Sequence, residues 1–228
     1  MKLGVFSDLH SNIYALKAML RAATDVEQWI GLGDSVGLFP GVNEVLDWFR
    51  AREVLAIRGN HEACLMEGGR LIDSFSGNES LDLQRRVISE VNAAYLRALR
   101  PSLTTTIGGR AIRAVHALSD HGGAGGEKYR IDLKVVTEAF PGTDIVLFGN
   151  THLPLSCHCR TLLLLNPGSC GFPIDVTRRP SFAVVETADL SSDLRRFDYE
   201  KQPLIDDIRR HGYNPALARF VETGTWRG

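Results

Sequence analysis

The chain has 228 residues, with 26 Lys and Arg against 27 Asp and Glu and a formal net charge of −1. That balance offers no broad electrostatic case for binding nucleic acid, and no apolar stretch approaches the length of a membrane span. The length suits one α/β domain over residues 1–228, with helices at about 201–223 packed on it. A single Lys and a four-residue apolar run precede Asp8, which is not a secretory signal pattern, so a cytoplasmic chain is expected.

In chain order, residues 2–6 read as a buried strand and about 12–23 as a helix. Ile13, Leu16, Met19 and Leu20 recur there at helical spacing behind a cap at Ser11 or Asn12. Residues 27–32 form a second strand, and Pro40-Gly41 starts a helix with Val42, Val45, Leu46 and Phe49 on one face. A third strand at 53–57 completes a β-α-β-α-β alternation, which argues for parallel strands. Residues 62–67 read as a short helix broken by Gly68-Gly69. One longer helix is expected over 79–99, with Val87, Ile88, Val91, Tyr95 and Leu99 in phase.

Thr104–Ile107, Gly108-Gly109 and Arg110–Val115 read as a hairpin that ends at His116. The glycine-rich stretch 119–128 is a candidate substrate lid. A helix at 132–140, strands at 144–148, 161–165, 181–186 and 193–198, and two short helices at 201–211 and 214–223 complete the chain. Cys64, Cys157, Cys159 and Cys170 are expected to be reduced. Cys157-His158-Cys159 lacks a second ligand pair for structural zinc, and alternation along a strand accounts for it.

Four apolar runs each stop at a polar cluster: Asp8-Leu9-His10, Gly33-Asp34, Gly59-Asn60-His61-Glu62, and Gly149-Asn150-Thr151-His152. An Asp after a strand is often only a helix cap. Four such clusters at strand ends, where open α/β sheets place ligands, point instead to a metal site.

These motifs, with the isolated His116 and the turn Asn166-Pro167-Gly168-Ser169, resemble the calcineurin-like metallophosphoesterases, in particular the small YfcE-type phosphodiesterases of bacteria and archaea. The resemblance covers residues 2 to about 198. It implies a four-layered α/β/β/α sandwich: two mixed sheets flanked by helices. It also implies two divalent transition-metal ions, Mn²⁺ first among them, with Fe, Ni, Co or Zn as alternatives. Asp34 would bridge the two. Asp8, His10 and His152 would complete one shell, and Asn60 and His116 would serve the other. His61 would lie over the phosphate as the catalytic group, a hydrogen-bond donor or general acid. The function implied is hydrolysis of a phosphodiester or phosphomonoester by a metal-bound hydroxide. A non-catalytic interaction module on the same fold is the alternative. A phosphate ester is the expected partner, with neither nucleic acid nor membrane, and a homo-oligomer is left open.

One position departs from the family pattern. Asn150 stands where Gly-His-x-His would place a His, and an amide oxygen is the weaker donor to late transition metals, so a weaker second site is expected. His121 and His158 are the candidates to replace the missing ligand. Glu62 is expected either to orient His61 or to stabilise the helix N-terminus by charge. Arg58 either assists phosphate binding or points to solvent. His211 is explained by its place near a helix C-terminus.

Overall fold

A computed structural model describes residues 1–71, 75–120 and 131–225. Two five-stranded sheets pack face to face. In the first, β1 (Lys2–Phe6), β2 (Gln28–Gly31) and β3 (Leu55–Ala56) run parallel, with Val5 beside Ile30 and Ile30 beside Leu55. β9 (Ser181–Glu186) pairs antiparallel with β1, and β10 (Ser192–Arg196) antiparallel with β9. In the second sheet, β4 (Ser102–Ile107) and β5 (Arg110–Val115) form the expected hairpin, with Gly108 and Gly109 both at positive φ. β6 (Ile145–Phe148) runs parallel to β5 and to β8 (Leu162–Asn166), and β7 (Leu155–Cys159) closes the edge antiparallel to β8.

Strand alternation sorts the layers. Leu3 and Val5 face inward against Ile112, Ala114, Ile145, Leu147, Leu163 and Leu165 of the other sheet. Phe6 faces outward against α1 (Ile13–Ala22) and α2 (Val42–Ala51), meeting Leu16, Met19 and Phe49. On the far face of the second sheet, Val146, Phe148 and Leu164 bury Val136 of α6 (Leu133–Ala139). The result is the expected four-layered sandwich. Of the two capping residues considered for α1, Asn12 makes the bond, its side chain accepting from the Ala15 amide at 3.0 Å.

The single helix expected over 79–99 is two helices, α4 (Phe75–Val87) and α5 (Glu90–Ala98). The break is made from outside. Asn43 on α2 donates to the Val87 carbonyl at 2.8 Å and accepts from the Ser89 amide at 2.9 Å, and Ser89 then caps α5. Val87 and Val91, placed on the apolar face by phase alone, are 57% and 56% exposed. The edge strand β7 carries Cys157 and Cys159 on its half-buried face and His158 on its exposed one, and neither cysteine is in a disulfide. The lid expected at 119–128 lies outside the described residues apart from a short 3-10 turn at Leu118–Asp120. The last helices, α7 (Lys201–Arg210) and α8 (Pro215–Thr223), pack on Leu38, Phe39 and Phe172. No described helix is long and apolar enough to cross a membrane.

Candidate metal centre

The carboxyl ends of β1, β2, β3, β5 and β6 come to one rim, and every site residue read from the sequence sits there. The loops are zipped together by backbone bonds: Asp8 amide to the Gly33 carbonyl at 3.1 Å, His10 amide to the Asp34 carbonyl at 2.9 Å, and Gly149 amide to the His116 carbonyl at 2.9 Å. Five of the expected site residues, Asp8, His10, Asp34, Asn150 and His152, adopt positive φ between 50° and 62°. Asp, Asn and His tolerate that region best, yet each such residue still costs about 1–3 kcal/mol. The surrounding loops must therefore impose it. Gly59 permits a close approach, since a Cβ there would collide with the Asp34 carboxylate.

Asp8 and Asp34 are buried, 0% and 2% exposed, with no Lys or Arg paired to either among the described residues. Three histidines surround them in a common pose. His10 donates Nδ1–H to the Val36 carbonyl (3.3 Å), His116 to that of Leu32 (2.7 Å) and His152 to that of Phe172 (2.7 Å). Such anchoring turns Nε2 inward as the ligating atom. His116 Nε2 lies 3.4 Å from Asp34 Oδ2 and 3.1 Å from Asn60 Oδ1. His152 Nε2 lies 3.2 Å from Asp8 Oδ1 and 3.4 Å from His10 Nε2. Lone pairs this close need a proton or a cation between them. Asp8 Oδ1 has no aligned hydrogen-bond donor although it is buried.

Without a metal, protons meet part of that need. Burial disfavours charge on His116, but the adjacent Asp34 outweighs it and holds the imidazolium up to about 10. His152 is raised in the same way by Asp8 against burial. His10 is held well below the ordinary value by burial and by the neighbouring His61. Among the described residues three ligand clusters result: Asp8 with His10 and His152, His10 with Asp34 and His61, and Asp8 with Asp34 and His116. The mixed nitrogen and oxygen donors, gathered around two carboxylates that no Lys or Arg neutralises among the described residues, fit a divalent metal ion.

Asn60 and Asn150 stand on the open side. With Arg58, Pro101, His116 and Ser119 they line a cleft of about 530 Å³. The Asn150 backbone N–H donates to Asp8 Oδ2 at 3.1 Å. Arg58 pairs at the rim with Glu67 at 2.9 Å. His61 is 7% exposed. Its ring packs on His10 with centroids 4.5 Å apart, its amide donates to Asp34 Oδ1 at 2.8 Å, and its Nδ1 is buried without a hydrogen-bond partner.

Glu62 does not orient His61. Its carboxylate accepts from the amides of Gly59 (2.8 Å), Asp34 (2.9 Å), Ser35 (2.6 Å) and Val36 (3.3 Å), and from the Ser35 hydroxyl (2.5 Å). The bond to Gly59 caps α3 (Asn60–Glu67), so Glu62 does serve that helix N-terminus, through a hydrogen bond where charge alone was expected. The other four lock the Asp34 loop. His158, on the exposed face of β7, is in none of the clusters, and His121 lies outside the described residues.

Sequence reasoning missed the supporting carbonyls of Leu32, Val36 and Phe172, which carry no side-chain signal. It also missed Gln84, whose amide donates to Ser11 Oγ at 3.1 Å and to the Phe39 carbonyl at 2.7 Å. The turn Asn166-Pro167-Gly168-Ser169 was a visible signal. Asn166 donates to the Gly149 carbonyl at 3.0 Å, and Ser169 to the Asp8 carbonyl at 2.8 Å.

Two mixed sheets with a carboxylate–imidazole cluster on their common rim define the architecture of metallophosphoesterases. The family model of the calcineurin-like phosphoesterase superfamily domain matches residues 1–190, and the chain belongs to that family of hydrolases acting on phosphate esters. An uncharacterized protein from Methanocaldococcus jannaschii is 26% identical over 225 residues, covering 90% of this chain and 91% of the relative. The metallophosphoesterase from Sphaerobacter thermophilus shares the fold with a TM-score of 0.81 at 22% identity, over 99% of this chain and 100% of that one. YfcE, a phosphoesterase from E. coli, matches with a TM-score of 0.50 at 19% identity, over 87% of this chain and 100% of its own. Family and cluster together support metal-dependent hydrolysis of phosphate esters in general.

Proposed function

We propose that the chain is a dinuclear metallophosphoesterase in which Asp34 bridges two cations. The observation that carries this is the shared membership of the clusters: Asp34 and Asp8 each belong to two ligand groups whose donor atoms lie within 4.8 Å of one another. Asp8, His10 and His152 would hold one ion. Asn60, His116 and Asn150 would hold the other, with Asn150 the weak donor. Paired ions of this kind polarise the phosphoryl oxygens and lower the pKa of a bound water.

The chain's own residues supply position and protons. Glu62 holds the Asp34 loop rigid, so the bridge needs no rearrangement when substrate arrives. The carbonyls of Leu32 and Phe172 fix the tautomers of His116 and His152. Burial, reinforced by the neighbouring His152 and His116, holds His61 below the ordinary histidine value against the pull of Asp34 and Glu62. Its Nε2, 3.8 Å from Asp34 Oδ2, is the ring nitrogen on the site side and would carry a proton to a leaving alkoxide. The substrate is a phosphodiester or a phosphomonoester, entering through the cleft at Asn60 and Asn150.

The test is hydrolysis of an aryl phosphodiester and the matching monoester by metal-stripped protein, with Mn²⁺, Ni²⁺, Co²⁺, Zn²⁺ or Mg²⁺ restored. Turnover that requires metal and is lost in Asp34→Ala and His61→Ala is expected. Absence of turnover with two ions bound would overturn the catalytic reading of His61. Uptake of a single ion would overturn the bridge.

A further inference from the structure

Helices α7 and α8 lie beyond the stretch that the family model matches, which ends at residue 190. They nevertheless reach the metal cluster, chiefly through an aromatic contact. Phe220 on α8, 5% exposed, packs against Phe172 with ring centroids 4.4 Å apart. Phe172 in turn stands edge-on to His10 at 6.0 Å and to His152 at 5.9 Å. Its carbonyl receives the His152 Nδ1–H at 2.7 Å. Its amide donates to Ser169 Oγ, 2.8 Å away, and that hydroxyl donates to the Asp8 carbonyl. One residue thus touches His10 and His152 and reaches Asp8 through Ser169, and α8 covers it from behind. Phe39, 6.0 Å from Phe172 in the same apolar cluster, adds a second tie, because its amide donates to the His10 carbonyl at 3.1 Å. No such contact links α8 to Asn60, His116 or Asn150 among the described residues.

We propose that Phe220 is a positioning residue of the metal centre: α8 clamps Phe172, and so holds His152 and His10 in ligand geometry for one ion and not for the other. The proposal rests on the dinuclear reading above. Its physical basis is that partners standing behind metal ligands fix ring orientation, and their loss typically weakens metal affinity by about 10–100-fold. A truncated side chain at 220 leaves a cavity behind Phe172. The Phe172 carbonyl can then drift, and a neutral His152 loses the bond that aims Nε2.

The test is Co²⁺ binding to the metal-stripped full chain, followed by visible absorption, with melting measured in parallel. Phe220→Ala is compared with Phe220→Leu and with Ile208→Ala, which removes a fully buried side chain from the same apolar cluster on α7. Phe220→Ala should weaken one of two affinity classes by about tenfold and change the absorption of that class alone, while Phe220→Leu falls between it and the parent. Ile208→Ala should lower the melting temperature by a similar amount and leave both classes within about twofold of the parent. Unchanged affinity in Phe220→Ala overturns the proposal, and so does equal weakening in Ile208→Ala. A parent chain that takes up no Co²⁺ overturns the dinuclear reading and this proposal with it.

Discussion

The two halves of the metal centre are built differently. Asp8, His10 and His152 are 0%, 1% and 9% exposed, and each is tied to backbone, the first two on the loop after β1 and the third on the loop after β6. Around His116 the donors Asn60 and Asn150 are amides, Asn60 is exposed, and both line an open cleft. Asp34 stands between, fixed by Glu62. In the proposed dinuclear reading, the dry, over-determined half would hold its ion through ligand geometry set in advance. The wet half, with neutral amide donors, would hold its ion more loosely. The contrast rests on burial and ligand type.

The largest effect expected is on the shared residue. Asp34→Asn should remove the bridge, lowering metal-dependent turnover by about a thousandfold or more and reducing bound metal from two ions to one by elemental analysis. Retention of both ions would erase the distinction between the halves. Next comes the clamp. Glu62→Gln leaves at least two of five buried donors unpaired and should destabilise the chain by about 3 kcal/mol in urea unfolding. It should loosen the wet half more than the dry one.

Asn150→His should tighten the weaker affinity class by on the order of tenfold in calorimetry and leave the stronger unchanged. Equal classes in the parent would show that the amide costs nothing.

Proton linkage sharpens the comparison further. His116, raised to about 10, carries a proton near neutrality in the metal-free chain, and metal must displace it; His152 is shifted in the same direction by Asp8, against burial. Metal affinity should therefore fall as pH falls, and calorimetry in buffers of different ionisation heat should detect proton release. In the metal-free chain, the raised value of His116 contributes stability that is fully present below about 6.5 and is lost as pH rises through about 10. Metal should abolish that loss. The smallest effect belongs to the exposed helix face: Val91→Ser, at a position 56% exposed, should change stability by less than about 0.5 kcal/mol.

Much of this was legible in the residue order. Short apolar runs that stop at Asp, Asn and His report strand ends, and the 3.6-residue recurrence of Val42, Val45, Leu46 and Phe49 reports a helix face, because burial at those positions depends on local periodicity. The same logic failed at residues 79–99, where Asn43, far away in sequence, takes the Val87 carbonyl and the Ser89 amide and ends the helix that local phase would continue. Glu62 failed for the same reason: a carboxylate in a first helical turn shows that it caps, but not that four further donors from the Asp34 loop converge on it.

The sequence alone determined the class of chemistry, since the ligand types and their position after strands are properties of the chain itself. Only the tertiary structure decided how the ligands are held. Residues far apart in the chain are brought to one rim by two sheets packed face to face, and the groups that orient them are mainly backbone carbonyls at Leu32, Val36 and Phe172. A carbonyl is the same in every residue, so its role is set by where the fold places it and leaves no mark in the sequence.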